Sequence, residues 1–143
     1  MIQQTKQQLI TSKIVIPSLV ICVGQACTLK CKDCGNFTPY APKHMLRYSM
    51  QKIINDLNLL IENATITHLG LQGGEAFLHP ELNSLLQFIV NTPDIKQCQI
   101  ATNGTLLPNV DVKLLQHDKM SIRISNYTRI KSIKTELIDY KAT

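Results

Sequence analysis

The sequence predicts an α/β fold, specifically a partial (β/α) barrel of about four parallel βα units. Two observations support this prediction: four short apolar segments alternate with segments of helical periodicity, and polar or glycine residues follow each apolar segment. Such alternation is typical of parallel strands that are joined by right-handed crossovers, with helices packed on the sheet. No linker divides the 143 residues, so residues 1–143 are predicted to form a single domain.

The first predicted elements are a strand, a long loop and a helix. The segment from Ile14 to Val23 is rich in β-branched residues and apolar almost throughout, which is typical of a parallel strand buried on both faces. Residues 24–48, here called the cysteine loop, form an irregular segment of a length that is usually functional in a compact domain. Apolar residues then recur at three- and four-residue steps over residues 50–61, and Ser49 is placed to cap this helix.

The rest of the chain continues the alternation of strand and helix. The predicted elements are a strand Ile66–Leu71, a helix after Pro80, a strand Gln97–Thr102, a weaker helix Val110–Gln116, a strand Met120–Ser125, and a tail with apolar residues 130, 133 and 137 at helical spacing.

The faces of the last two strands predict where a site would lie. On the fourth strand Ser121, Arg123 and Ser125 alternate with Ile122 and Ile124, and the third strand alternates in the same way. Helices would cover the apolar face, and the polar face would adjoin water or a ligand because buried unpaired polar groups are costly. In barrels of this kind the site lies at the carboxyl ends of the strands. These ends are the cysteine loop, residues 73–75, residues 103–104 and residues 125–126.

Composition and charge restrict the compartment and the partners. The longest apolar stretch is too short to span a membrane, and the N-terminus lacks the layout of a signal peptide, so we expect a cytoplasmic protein without a membrane partner. The 15 Lys+Arg and 10 Asp+Glu residues give a net charge of +5 without a dense basic run, which disfavours nucleic acid as a partner. The oligomeric state is not indicated.

Three of the five cysteines lie close together in the pattern Cys27-x3-Cys31-x2-Cys34. In a reducing compartment such crowding indicates a metal centre rather than disulfides. Iron–sulfur clusters are normally held by Cys thiolates, and three ligands would leave one iron open to a small molecule. A structural zinc site needs a fourth ligand, for which the sequence offers Asp33, His44, Cys22 or Cys98. The last two are not well placed on their strands.

Four motifs now resemble one family in chain order. The segment CTLKCKDC resembles the CxxxCxxC signature of the radical S-adenosylmethionine superfamily. GGEAFLHPEL resembles its Gly-Gly-Glu motif, with Ala76 in place of the usual Pro, and IATNGTLL and IRISNY resemble its third and fourth strand ends. The resemblance covers roughly residues 15–140. Because that core usually has six units, the C-terminal barrel units are expected to be absent from this chain.

The resemblance implies a cofactor set and a role for each matching residue. Cys27, Cys31 and Cys34 would hold three irons of a 4Fe–4S cluster, and S-adenosylmethionine would chelate the fourth iron. The methionine amino group would be bound by Gly73, Gly74 and Glu75, and the ribose or the methionine carboxylate by Asn103, Arg123 and Ser125. No catalytic residue beyond the cluster ligands is implied. Asp33 stands where the family often has an aromatic residue that contacts the adenine.

The implied activity is that of a radical S-adenosylmethionine enzyme or its catalytic core. The reduced cluster would cleave S-adenosylmethionine to a 5′-deoxyadenosyl radical, which abstracts hydrogen from a small-molecule or peptide substrate that the sequence does not identify. An electron donor such as flavodoxin or ferredoxin is also implied. The alternative is a non-catalytic iron–sulfur or zinc-binding module, a truncated relative of the family.

Overall fold

Four parallel strands lie side by side in chain order. The structure, a computed structural model, describes residues 12–106 and 109–125. The strands are β1 (Ile14–Cys22), β2 (Ala64–Gln72), β3 (Ile95–Thr102) and β4 (Met120–Ile124), paired in the order β1-β2-β3-β4. This confirms the predicted α/β class, and the sequential order is consistent with a partial β/α barrel. The helix predicted in the tail lies outside the described residues.

Within the described residues, three α-helices connect the strands: α1 (Met50–Ile61), α2 (Leu82–Asn91) and α3 (Val112–Leu115). The Ser49 hydroxyl accepts a hydrogen bond from the backbone N–H of Lys52 at 3.3 Å, as the predicted cap requires. Asp111 caps α3 in the same way through the N–H of Lys113 at 3.0 Å. This helix is only four residues long, shorter than the predicted Val110–Gln116. None of the helices in the described residues is long and apolar enough to cross a bilayer.

The core lies between the helices and one face of the sheet. Its fully buried members include Leu69, Leu71 and Ile100 from the strands and Leu85, Leu86 and Ile89 from α2. The opposite face of the sheet carries polar residues, among them His68, Gln97, Gln99, Ser121 and Arg123, which are exposed. One face of the sheet is therefore packed, and the other is open to a ligand or solvent, as the alternation of residues predicts.

The outer strands are more exposed than the sequence predicts. Ile14, Val15 and Val20 of β1 are 69%, 63% and 54% exposed, so the prediction that this strand is buried on both faces is wrong. The reason is position: within residues 12–106 and 109–125, β1 pairs with β2 alone, and the two longer helices, α1 and α2, pack on β2 and β3. Ile122 of β4, at the other edge, is likewise 41% exposed.

Candidate functional site

A cavity of about 810 Å³ lies at the carboxyl edge of the sheet. Its wall includes eight of the nine predicted site residues: Cys27, Cys31, Cys34, Gly73, Gly74, Asn103, Arg123 and Ser125. The volume lies within the range of small-molecule and cofactor sites. The ninth predicted residue, Glu75, is not on this wall and has a different position, described below.

Gly73 and Gly74 support the start of the cysteine loop. A Cβ added to Gly73 would lie 2.2 Å from the carbonyl oxygen of Gly24, and one added to Gly74 would lie 2.3 Å from that of Ala26. The N–H groups of Gly74 and Glu75 donate to these two carbonyl oxygens at 3.0 and 2.8 Å. The glycines are needed because the backbone of the loop lies directly against them. This contact fixes the backbone immediately before Cys27.

The Glu75 carboxylate joins the ends of β2 and β3. It is 3% exposed, and one of its oxygens accepts from the Thr102 hydroxyl at 2.8 Å and from the N–H of Phe77 at 3.2 Å. The other oxygen accepts from the N–H of Asn103 at 2.8 Å. These donors satisfy a carboxylate that would otherwise be costly to bury. In this structure the carboxylate is therefore directed to the strand ends behind the cavity.

Asn103 connects the end of β3 to the cysteine loop. Its side-chain nitrogen lies 3.6 Å from the sulfur of Cys27 and 3.0 Å from the hydroxyl of Thr28. Its side-chain oxygen accepts from the N–H and the hydroxyl of Thr105 at 2.9 and 2.7 Å. The side-chain amide thus has protein partners on both sides, and it lies beside the first of the three loop cysteines.

The three loop cysteines differ in their hydrogen bonds, although all are half-buried. Cys27 accepts from the N–H of Leu29 at 3.4 Å as well as from Asn103. The Cys34 sulfur lies 3.4 Å from the hydroxyl of Thr38, and the hydrogen bond from this hydroxyl, reinforced by backbone N–H groups, lowers the pKa of the Cys34 thiol. Within the described residues no hydrogen-bond donor reaches the sulfur of Cys31.

The donors around these thiols suit an iron–sulfur cluster. In such a cluster each thiolate binds a different iron. Hydrogen-bond donors directed at sulfur are typical of the surroundings of such thiolates. The loop and the adjoining cavity therefore fit a 4Fe–4S cluster.

The remaining two cysteines lie away from the cavity. Cys98 is 1% exposed on the packed face of the sheet, and burial raises the pKa of its thiol to about 12. The Cys22 thiol lies 3.5 Å from the carbonyl oxygen of Gly24, to which it donates. This placement agrees with the prediction that neither residue is suited to act as a fourth metal ligand.

Arg123 and Ser125 lie on the far side of the cavity. Arg123 is exposed, and no carboxylate of the described residues is within ion-pair distance of its guanidinium. It also lines a second cavity of about 450 Å³ on the open face of the sheet, so that the two cavities meet at Gln72, Ala101 and Arg123. The backbone N–H of Ser125 donates to Thr102 at 2.8 Å, which extends the pairing of β4 with β3 by one step.

Sequence reasoning missed three residues of the site. Asn36 donates from its side chain to the carbonyl oxygen of Gly73 at 2.8 Å, Thr38 contacts Cys34, and Thr28 contacts Asn103. Asn and Thr in a loop are ordinary turn residues, and their partners are up to 75 positions away in the chain. No local signal in the sequence could have identified them.

The fold and the site define a class of protein: an α/β domain with a thiolate-rich loop at the carboxyl edge of a parallel sheet. Residues 18–130 match the family model described as the 4Fe-4S single cluster domain. This match spans most of the chain, so the chain belongs to that family and is a 4Fe–4S cluster-binding domain. The predicted iron–sulfur cofactor is thereby confirmed at the level of the cluster.

Proposed function

We propose that this chain is a radical S-adenosylmethionine enzyme, or the catalytic core of one. The observation that supports this best is that the ends of β2, β3 and β4 meet at one cavity beside the cysteine loop that follows β1. A bound cluster and S-adenosylmethionine would supply one chemistry there: one-electron reduction of the sulfonium, with release of methionine and a 5′-deoxyadenosyl radical that takes a hydrogen atom from the substrate. The substrate remains a small molecule or peptide of undefined identity.

The cysteine loop would hold the cluster through Cys27, Cys31 and Cys34. Docking of the loop on Gly73 and Gly74 supports this role, because it fixes the backbone before the first ligand. The loop thiols are free cysteines, which suits the reducing conditions of a cytoplasmic location.

The rest of the cavity wall offers suitable partners for the methionine part of S-adenosylmethionine. The carbonyl oxygen of Gly73 already accepts a hydrogen bond from the Asn36 amide, so an ammonium group could bind there in place of that amide. Arg123 presents an exposed guanidinium, whose paired donors match a carboxylate. Ser125 stands next to it at the end of β4. Glu75 would act from behind the wall, because its carboxylate holds the ends of β2 and β3 together.

The proposed chemistry consumes an electron and therefore needs a reducing partner. Flavodoxin or ferredoxin would serve as the donor. Lys30 and Lys32 flank Cys31 on the exposed side of the loop, and this positive charge favours an acidic donor near the cluster.

Anaerobic reconstitution tests the proposal. After loading with iron and sulfide, the chain is given S-adenosylmethionine and a strong reductant, and 5′-deoxyadenosine is quantified by chromatography. We expect release of 5′-deoxyadenosine by the native chain and by Cys22→Ala, whose missing thiol is outside the loop. We expect none from Cys31→Ala.

The same preparation separates the proposal from the non-catalytic alternative. A chain that retains iron and acid-labile sulfide yet releases no 5′-deoxyadenosine, where a known radical enzyme does so in parallel, would be an iron–sulfur module without this activity. One zinc per chain without sulfide would instead indicate a zinc module.

A further inference from the structure

We propose that Asn103 is a positioning residue that raises the reduction potential of the cluster by donating a hydrogen bond to the sulfur of Cys27. This inference rests on one part of the proposed function, the assignment of Cys27 as an iron ligand, and is independent of S-adenosylmethionine. The observation behind it is the 3.6 Å separation between the Asn103 side-chain nitrogen and the Cys27 sulfur. That distance is appropriate for an N–H donor and the large sulfur atom.

The orientation of the Asn103 amide follows from its other partners. Its side-chain oxygen faces the backbone N–H of Thr105 at 2.9 Å, and an N–H can only donate. A flipped amide would place two donors against each other at that contact and would leave an oxygen facing the sulfur. The network around Thr105 therefore requires the NH₂ group to face Cys27, with its second N–H on the hydroxyl of Thr28.

The position of Asn103 is as constrained as its orientation. The residue is 6% exposed, and its backbone N–H is bound by the buried carboxylate of Glu75 at 2.8 Å. Because the Asn103 side chain is buried, its amide dipole acts on the sulfur with less screening than it would at the surface. A cluster ligand therefore receives a fixed donor from a strand end that is 76 residues away in the chain.

A donor at this point should make the cluster easier to reduce. Reduction adds negative charge to the cluster and its thiolates, and an N–H directed at sulfur stabilises that charge more in the reduced state. The other donor to Cys27, the N–H of Leu29, belongs to the backbone and stays in place when side chains are changed. Asn103 is thus the part of this arrangement that a substitution can remove.

Redox titration of the reconstituted chain, followed by electron paramagnetic resonance, tests the inference. Asn103→Leu removes the donor with little change in side-chain size. We expect it to lower the equilibrium constant for one-electron reduction about tenfold, which is a downward shift of the midpoint potential by ~59 mV. Asn103→Asp keeps an oxygen for Thr105 but replaces the donor by a negative charge, so its potential should fall at least as far. Asn55→Leu is the matched control: it makes the same substitution at an exposed residue of α1, outside the cavity wall and the cysteine loop, and should leave the potential unchanged.

The inference is overturned if Asn103→Leu and Asn103→Asp keep their iron and sulfide and titrate at the native potential, or if Asn55→Leu shifts it equally. Should neither Asn103 variant retain a cluster, electron–nuclear double resonance on the reduced native chain decides. An exchangeable proton coupled to the cluster, with a coupled ¹⁵N after asparagine labelling, supports the contact, and its absence overturns it. A native chain without iron or sulfide would contradict the cluster assignment itself, and metal analysis registers that result separately.

Discussion

The amino edge of the sheet, where the strands begin, and its carboxyl edge, where they end, are stabilised by different interactions. At the amino edge, the Lys13 ammonium contacts the Asp94 carboxylate and the carbonyl oxygen of Ile61, and Lys119 donates to three carbonyl oxygens at the end of α2, the closest being that of Thr92 at 2.7 Å. At the carboxyl edge, backbone lies directly on backbone at Gly73 and Gly74, and a buried carboxylate joins two strand ends.

The difference shows which edge tolerates change. Lysine side chains have a flexible stem of four carbons and can follow small movements of the carbonyl groups they bind. A contact in which a single methyl group would come within 2.3 Å of a carbonyl oxygen has no such freedom. Fixed geometry is needed where a cofactor must be positioned, and this fold provides it at the cysteine loop. Changes at the carboxyl edge should therefore alter both stability and cluster content, whereas changes at the amino edge should alter stability alone.

The largest effect is expected for Gly74→Ala. The added Cβ would lie 2.3 Å from the carbonyl oxygen of Ala26 and 2.8 Å from the Cβ of Cys27, so the loop must move away. We expect a loss of about 3 kcal/mol in the free energy of unfolding, measured by urea denaturation, and a lower iron content after reconstitution.

Gly35→Ala is the control for that loss. It lies in the same loop, its added Cβ would meet nothing within 4 Å, and it should change the stability by less than about 0.5 kcal/mol. Equal stabilities for the two variants would mean that the loop is not anchored at Gly74.

An intermediate effect is expected for Glu75→Gln. The substitution keeps the size of the side chain but places an NH₂ group where one carboxylate oxygen accepts from Asn103, leaving buried donors unpaired. Urea denaturation of the chain without cluster or S-adenosylmethionine should show a loss of about 2 kcal/mol. Glu81→Gln, at an exposed carboxylate a few residues further on, should have almost no effect. If the Glu75→Gln chain had native stability, the Glu75 carboxylate would not join the strand ends, and ligand binding would be left as the role of this carboxylate.

The smallest effect is expected at the amino edge, for Lys13→Met. Two hydrogen bonds hold the pKa of Asp94 below its ordinary value: the one from Lys13 has the larger effect, and the one from Thr65 the smaller. A carboxyl group whose pKa is lowered on folding stabilises the protein above its unfolded pKa, and this contribution disappears as the pH falls through the folded pKa. Removing Lys13 should raise the pKa of Asp94 toward its ordinary value, and it should reduce this acid-sensitive contribution to stability.

Carbon-13 detected titration of the Asp94 carboxyl group measures this shift. Lys52→Met, which removes an exposed partner of Asp56 on α1, should leave the Asp94 titration unchanged. The cluster content of Lys13→Met should equal that of the native chain. A reduced content would contradict the separation of roles between the two edges.

The sequence was sufficient to predict the parallel sheet and its carboxyl-edge site, because both follow from local periodicity. Ile66–Leu71 and Gln97–Thr102 are apolar at the right intervals, and glycine or asparagine follows each. The exposure of β1 was not predictable from its own residues, since Val15 and Val20 look the same in a central strand as at an edge. Two of the hydrogen-bond partners of Glu75, Thr102 and Asn103, were equally unpredictable, because they lie 27 and 28 positions away and depend on how β3 pairs with β2.

The long sequence separation between Asn103 and Cys27 also has a consequence for the order of events during synthesis. All three loop cysteines have been synthesised once residue 34 is added, but the amide that faces Cys27 belongs to Asn103 and is oriented by Thr105. The contact between Asn103 and Cys27 spans 76 residues of chain and depends on the pairing of β1, β2 and β3. A nascent chain thus presents a complete set of ligands well before it presents their surroundings. Iron delivered at that stage would meet three thiols on an unfolded segment, so the finished site belongs to the folded domain and not to the cysteine motif alone.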